Sequence, residues 1–195
     1  MSRSLNAISV LVPNSLMVDK PNSCFGKINI AIDLARAFGY RRYFELTTGT
    51  TGREYARAQA GFESCSRLVY RYAVYFEDDG LPIDFRLDGE DTSTTLQEIR
   101  EKGLEFDVIL VDPHHTYLCS LRDLHDAFSI LKPGGALIVH DCDPPNKECA
   151  VPEFISYVWC GVTYKAFIDF VLDNDSVEYF TVDCDYGCGV IFKKP

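Results

Sequence analysis

The sequence has no run approaching the roughly 20 apolar residues that a membrane-spanning helix needs. It also lacks a basic surplus. Its 19 Lys and Arg face 29 Asp and Glu, a formal net charge of −10, and that is the wrong sign for gripping nucleic-acid phosphates. No Pro/Gly-rich linker, internal repeat or low-complexity tract divides the chain. The 195 residues are therefore expected to form an N-terminal arm or lid (1–24) and one domain (25–195), long enough to bury a sizeable core. A secretion signal is missing too, because the apolar stretch Ala7 to Val12 is brief and Pro13 interrupts it. With 47% hydrophobic and 25% charged residues, extended disorder, a collagenous chain and a pure coiled coil are excluded.

Cysteine is not scarce. Eight are scattered at positions 24, 65, 119, 142, 149, 160, 184 and 188. A disulfide framework belongs to shorter, secreted chains, so these read as reduced, mostly buried thiols of a cytoplasmic protein. Cys184 and Cys188 have metal-like spacing, but structural zinc usually shows two close pairs, and no second pair faces them.

Ile28, Ala31, Ile32 and Ala35 recur at helical spacing, so Lys27 to Phe38 reads as an amphipathic helix that Gly39 ends. A strand over Arg41 to Leu46 runs into the turn-rich segment up to Gly52, and a helix follows over Arg53 to Ala60. Strands are expected over Arg67 to Val74 and Ile83 to Leu87. A helix over Thr92 to Lys102 is expected to be capped by Ser or Thr. Phe106 to Asp112 is an apolar strand of the kind buried on both faces. Leu121, Leu124, Phe128 and Leu131 form one helical stripe, stopped by Lys132-Pro133-Gly134-Gly135. Ala136 to His140 is a second buried strand. Pro152 is placed to start a long helix carrying Phe154, Val158, Val162, Phe167 and Val171. Strands Val177 to Val182 and Gly189 to Phe192 are joined too tightly for a crossover and should form an antiparallel hairpin. The alternation predicts an α/β fold, a three-layer doubly wound and mostly parallel sheet with an antiparallel C-terminal hairpin. Its ligands belong at the carboxyl ends of the strands.

Those ends gather the polar residues: Glu45 and the Gly49/Gly52 turn, then Asp112 with His114, His115 and Tyr117, then His140, Asp141, Cys142 and Asp143. The plain alternative is that they cap strands and helices at a solvated edge. Acids and histidines ending several buried strands at one edge point instead to a site.

The segments Asp112-Pro-His-His115-Thr-Tyr117 and Leu131-Lys-Pro-Gly-Gly-Ala-Leu-Ile-Val-His140-Asp141 resemble the class I S-adenosylmethionine-dependent methyltransferases. The branch is the one with D-x-x-H-x-Y after strand four and L-K-P-G-G…H-D at strand five, and the resemblance runs over residues 25–195. It implies a Rossmann-like fold with S-adenosylmethionine held by Glu45, Thr47, Gly49, Thr50, Gly52, Asp91 and Asp112. The chain departs from the family's glycine-rich E-x-G-x-G-x-G: Thr47 stands at the first glycine position and Gly52 is displaced by one. The ribose-holding acid after strand two has only Glu77 or Asp78 as candidates. Asp91 lies in a segment similar to the family's adenine-contacting G-D-S.

In this reading the substrate is a small molecule, most plausibly a sugar or secondary-metabolite hydroxyl. Asp112, His115 and His140 form the catalytic set, and one of the two histidines takes the substrate proton. Some relatives bind Mg²⁺ through an acid after strand four and an acid pair or Asp-Asn after strand five. Here that implies Asp112 and Asp141, with soft Cys142 at the third position and Asp143 as the next oxygen donor. Neither nucleic acid nor membrane is expected as a partner; a homo-oligomer is allowed. The competing reading is a degenerate member without transfer activity, serving as a binding or assembly module. A nicotinamide oxidoreductase ranks last, since G-x-G-x-x-G is absent after the first strand.

Overall fold

Lys27, Ala31 and Ala35 repeat every four residues and are buried, which lays α1 (Lys27–Phe38) against the sheet along one stripe. Its start is tied by the Gly26 N–H donating to Asn29 Oδ1 at 3.1 Å. Gly39 ends it in the left-handed region at φ 72°. The computed structural model describes residues 25–48, 52–75, 80–155 and 158–195. Gly49, Thr50, Glu77, Asp78 and the arm 1–24 lie outside them.

The remaining elements are β1 (Arg42–Thr47), α2 (Gly52–Gly61), β2 (Ser64–Tyr70), a helical turn α3 (Tyr72–Tyr75), β3 (Phe85–Leu87), α4 (Ser93–Glu101), β4 (Phe106–Asp112), α5 (Tyr117–Ile130), β5 (Leu131–Val139), α6 (Thr163–Leu172), β6 (Val177–Val182) and β7 (Cys188–Lys193). All seven strands form one sheet, ordered β3-β2-β1-β4-β5-β7-β6. β1 to β5 pair in parallel, while β7 runs antiparallel to β5 and to β6. Helices cover both faces. Ile109, Val111 and Leu137 pack with α4, α5 and α6 on one side, and Val108, Leu110 and Ile138 pack with α1 and α2 on the other. That two-sided burial is why β4 and β5 read as unbroken apolar runs. The doubly wound fold with its closing antiparallel hairpin is the one the alternation predicts.

Several boundaries differ from expectation. The strand expected over Arg67 to Val74 ends at Tyr70, because Arg71 turns the chain at φ 51°. Thr92 caps nothing with its side chain. Its hydroxyl donates instead to Asp123 at 2.8 Å, and Asp91 Oδ1 accepts the Ser93 N–H at 3.0 Å. Leu131 to Gly135 belong to β5, across an irregular register opposite Phe106 to Val108. The long helix expected from Pro152 is absent among the described residues, and only Thr163–Leu172 is helical. The cause is tertiary. The Cys160 and Gly161 N–H groups donate to Cys149 O and the Val162 N–H donates to His115 O, which folds the preceding segment over the strand ends.

Candidate active site

The β4–β5 register sets Val111 beside Val139, and the His140 N–H donates to Val111 O at 3.0 Å. The residues that follow, Asp112 on one strand and His140-Asp141 on the other, are thereby forced side by side. Asp141 adopts φ 61°, a left-handed conformation that Asp tolerates better than most residues and that often marks functional turns. Beyond it, the Cys142 and Asp143 N–H groups donate to Gly187 O and Tyr186 O, pinning the turn to the closing hairpin.

Asp112 is 8% exposed. Its Oδ2 accepts from Lys27 Nζ at 2.9 Å, and its Oδ1 lies 3.2 Å from His140 Nδ1 and 3.8 Å from His115 Nε2. Burial alone would raise its pKa, but the Lys27 and His140 charges hold it well below the usual carboxylate range. His140 bridges carboxylates: Nδ1 sits 3.0 Å from Asp141 Oδ2 and Nε2 sits 3.4 Å from Asp185 Oδ1. Burial and Lys27 act to lower its pKa, yet Asp112 and Asp141 push it well above the ordinary imidazole value. The carboxylates thus favour the cationic form of His140 over the free base that the sequence offers as a proton acceptor. Asp185 is drawn down to about 2: its burial is outweighed by His140 and Lys27.

His115 lines the cavity together with His114 and His140. Its Nδ1 donates to Trp159 O at 2.5 Å, and the Trp159 ring stacks on it with centroids 5.2 Å apart. The tautomer is thus fixed, leaving Nε2 as the titrating nitrogen, 3.2 Å from Asp141 Oδ2. Burial opposes the charge on His115, but Asp112 and Asp141 raise its pKa overall. Asp141 Oδ2 is buried between His140 Nδ1 and His115 Nε2, and a carboxylate oxygen so placed can accept a further hydrogen bond from a ligand. These groups face a cavity of about 810 Å³, within the range of small-molecule sites. Its mouth carries exposed Val74, Phe154, Ile155 and Val158.

Of the other sequence candidates, Thr47 ends β1 fully buried, and its neighbour Thr48 lines the cavity. Glu45 is fully buried and accepts from the Tyr43 hydroxyl at 2.9 Å. Gly52 is the first residue of α2. Asp91 is exposed at the start of α4, where the Ser93 N–H lowers its pKa. Asp143 lines a separate hollow with Pro144 and Asp183. Three participants were missed by sequence reasoning: Lys27, Asp185 and Trp159. Trp159 was hidden by the helical reading of its segment. Lys27 did carry a signal. A lysine in the first turn of a helix opposes the macrodipole, and one on the buried stripe demands a carboxylate partner.

A doubly wound sheet with this strand order, an antiparallel last hairpin and a cavity at the β1/β4 switch point is a Rossmann-like methyltransferase fold. Residues 29–142 match the sequence profile of a family described as a methyltransferase domain, and the chain belongs to that family. No curated protein sequence matches it. Among solved structures it is similar to an O-methyltransferase from Bacillus cereus in complex with SAH, at 12% identity over 93% of this chain and 94% of that one, with a TM-score of 0.59. It is also similar to the O-methyltransferase TomG of Streptomyces achromogenes, involved in tomaymycin synthesis and crystallised with SAM (13% identity, 93% and 94% covered, TM-score 0.55). A third is MycE, a methyltransferase of mycinamycin biosynthesis in complex with Mg and SAH (14% identity, TM-score 0.57), with 85% of this chain matched but only 49% of MycE.

The residues present do not fit Mg²⁺. Asp112, His115 and Asp141 bring ligand atoms within 4.8 Å of one another, but that is two carboxylates and an imidazole, where Mg²⁺ wants oxygen. The third position is Cys142, whose thiol lies 3.4 Å from Val139 O. Asp112 already carries the Lys27 ammonium.

Proposed function

We propose that this chain is an S-adenosylmethionine-dependent methyltransferase acting on a hydroxyl of a small molecule, a sugar or secondary metabolite with an apolar body. The observation that carries the reading is the convergence of Asp112, His115 and Asp141 at the mouth of a cavity over the carboxyl ends of β1, β4 and β5, on the sheet of a methyltransferase-domain family. The cavity suits the cofactor in size, and its lining includes Asp112, Asp141, Phe154 and Trp159, acids and aromatics of the kind that attract a sulfonium. The residues we assign to hold it are Glu45, Thr47, Gly49, Thr50, Gly52, Asp91 and Asp112; Thr47 is the last residue of β1 and Gly52 the first of α2. The bound cofactor supplies a methyl group already activated on its sulfonium.

What remains for the protein is alignment and one proton. The apolar rim orients the substrate body and keeps water off the reacting oxygen. Asp141 Oδ2 receives the substrate hydroxyl, and His115 Nε2 beside it takes the proton as the oxygen is methylated. Trp159 holds the ring in position through its carbonyl and its indole face. We assign residues 25–195 to the domain and 1–24 to an N-terminal arm or lid. No helix among the described residues is long and apolar enough to cross a membrane, and all seven described cysteines are free, in keeping with a reducing cytoplasm.

Calorimetry with S-adenosylmethionine and S-adenosylhomocysteine tests the reading. Binding of both is expected, and His115→Ala should keep binding while losing turnover. Folded protein that ignores both ligands at about millimolar concentration would leave the alternative, a binding or assembly module on a methyltransferase sheet.

A further inference from the structure

Resting on that reading, we infer that Lys27 is the resident cation of this site and takes at Asp112 the place that a divalent ion takes in metal-dependent relatives, so that the chain needs no metal. Lys27 is anchored at both ends. Its backbone N–H donates to Asp185 Oδ2 at 3.2 Å, and its Nζ donates to Asp112 Oδ2 at 2.9 Å. Its side chain is 9% exposed, so the ammonium is not a solvent-borne charge that a metal could displace by swinging it aside. Swinging it aside would leave a buried ammonium without its carboxylate, while α1, packed on the sheet through Ile28 and Ala31, holds the Lys27 backbone in place.

Each oxygen of Asp112 already has a donor, Lys27 Nζ at Oδ2 and His140 Nδ1 at Oδ1. The Lys27 ammonium and the imidazoles of His115 and His140 lie among the carboxylates of Asp112, Asp141 and Asp185. A divalent ion brought to Asp112 would meet a fixed like charge about 3 Å from the carboxylate it must share, a repulsion that a partly buried site screens poorly. The ligand chemistry agrees, since the third donor expected of a Mg²⁺ site is the half-buried thiol of Cys142. Lys27 does not line the cavity, so it acts as a positioning residue, through Asp112. It fixes the carboxylate whose other oxygen faces His140 and His115.

The test is a metal titration read independently of methyl transfer. Full-length chain stripped with chelator is titrated with Mn²⁺, free Mn²⁺ being followed by electron paramagnetic resonance, and with Zn²⁺ by calorimetry. Wild type should hold neither ion up to about 1 mM. Lys27→Met, which keeps the length and removes the charge, should gain one Mn²⁺ site at least about tenfold tighter than any wild-type binding, and adding Asp141→Asn should abolish it. Lys27→Arg should stay metal-free. Wild type that binds one equivalent of either ion below about 100 μM, with loss in Asp141→Asn, overturns the inference, and this result does not depend on whether Lys27→Met folds. A folded Lys27→Met without the new site overturns it as well. S-adenosylhomocysteine binding, measured on the same samples, reports on the methyltransferase reading separately: its absence would sink that reading and leave the metal result standing.

Discussion

The carbonyl oxygen of Trp159 accepts from His115 Nδ1 while the indole of the same residue lies against the imidazole, with planes 26° from parallel. One residue thus sets both the tautomer and the tilt of the proposed base. Trp159→Leu keeps the carbonyl and removes the ring. Stacking of this kind contributes about 1 kcal/mol, so kcat/KM should fall by roughly fivefold, with little change in S-adenosylhomocysteine affinity by calorimetry.

Activity should depend on pH through His115. Its carboxylate neighbours raise its pKa above the ordinary 6.5, and a base must be unprotonated to act. The acid limb of the kcat/KM profile should therefore lie above pH 6.5. An acid limb at a lower pH would mean that another group takes the proton.

His140 contributes to stability with a definite sign. Its folded pKa lies well above the unfolded value, so its contribution is complete below about pH 6.5 and is lost as pH climbs through the raised pKa. His140→Gln leaves buried carboxylates facing one another and should cost about 3 kcal/mol at neutral pH. Denaturant titrations should show the gap from wild type narrowing in alkaline buffer.

Gly161 is pressed against the β4–α5 connection. A Cβ built there would stand 2.1 Å from the His115 carbonyl oxygen, at a backbone φ of 58°. Gly161→Ala should therefore lift the segment from the cavity rather than merely strain it. The expected signs are a loss of about 2 kcal/mol or more in stability and faster proteolysis between Cys149 and Val162 under native conditions. A variant that melts with wild type would contradict the close packing.

Tyr70 and Asp123 brace the same connection from below. The Tyr70 hydroxyl donates to Asp123 Oδ2 at 2.7 Å and accepts the His114 N–H. Tyr70→Phe strands a buried donor and weakens a buried carboxyl, which should cost about 2 kcal/mol in denaturant unfolding. Burial lifts the Asp123 pKa to about 7, so between roughly pH 4 and 7 the folded chain keeps a proton that the unfolded chain releases, and stability from this group falls as pH rises. Asp123→Asn cannot ionise, and its stability relative to wild type should improve across that window.

Periodicity and residue type alone determined the sheet, the helices Lys27–Phe38 and Thr163–Leu172 in whole or part, the hairpin, and the strand ends at Asp112 and His140. The reason is that apolar runs buried on both faces leave a local imprint. The family was legible for the same reason, since D-x-x-H-x-Y and L-K-P-G-G…H-D are contiguous in the chain. Tertiary structure alone decided what those side chains do. It brought Lys27 and Asp185 to Asp112 and His140 across sequence separations of 85 and 45 residues, which no local pattern encodes. It set His140 among the carboxylates of Asp112, Asp141 and Asp185, which favour its cationic form. It also drew the segment after Pro152 out of helix, because backbone hydrogen bonds to Cys149 and His115 outweighed a periodicity that five apolar residues only suggested.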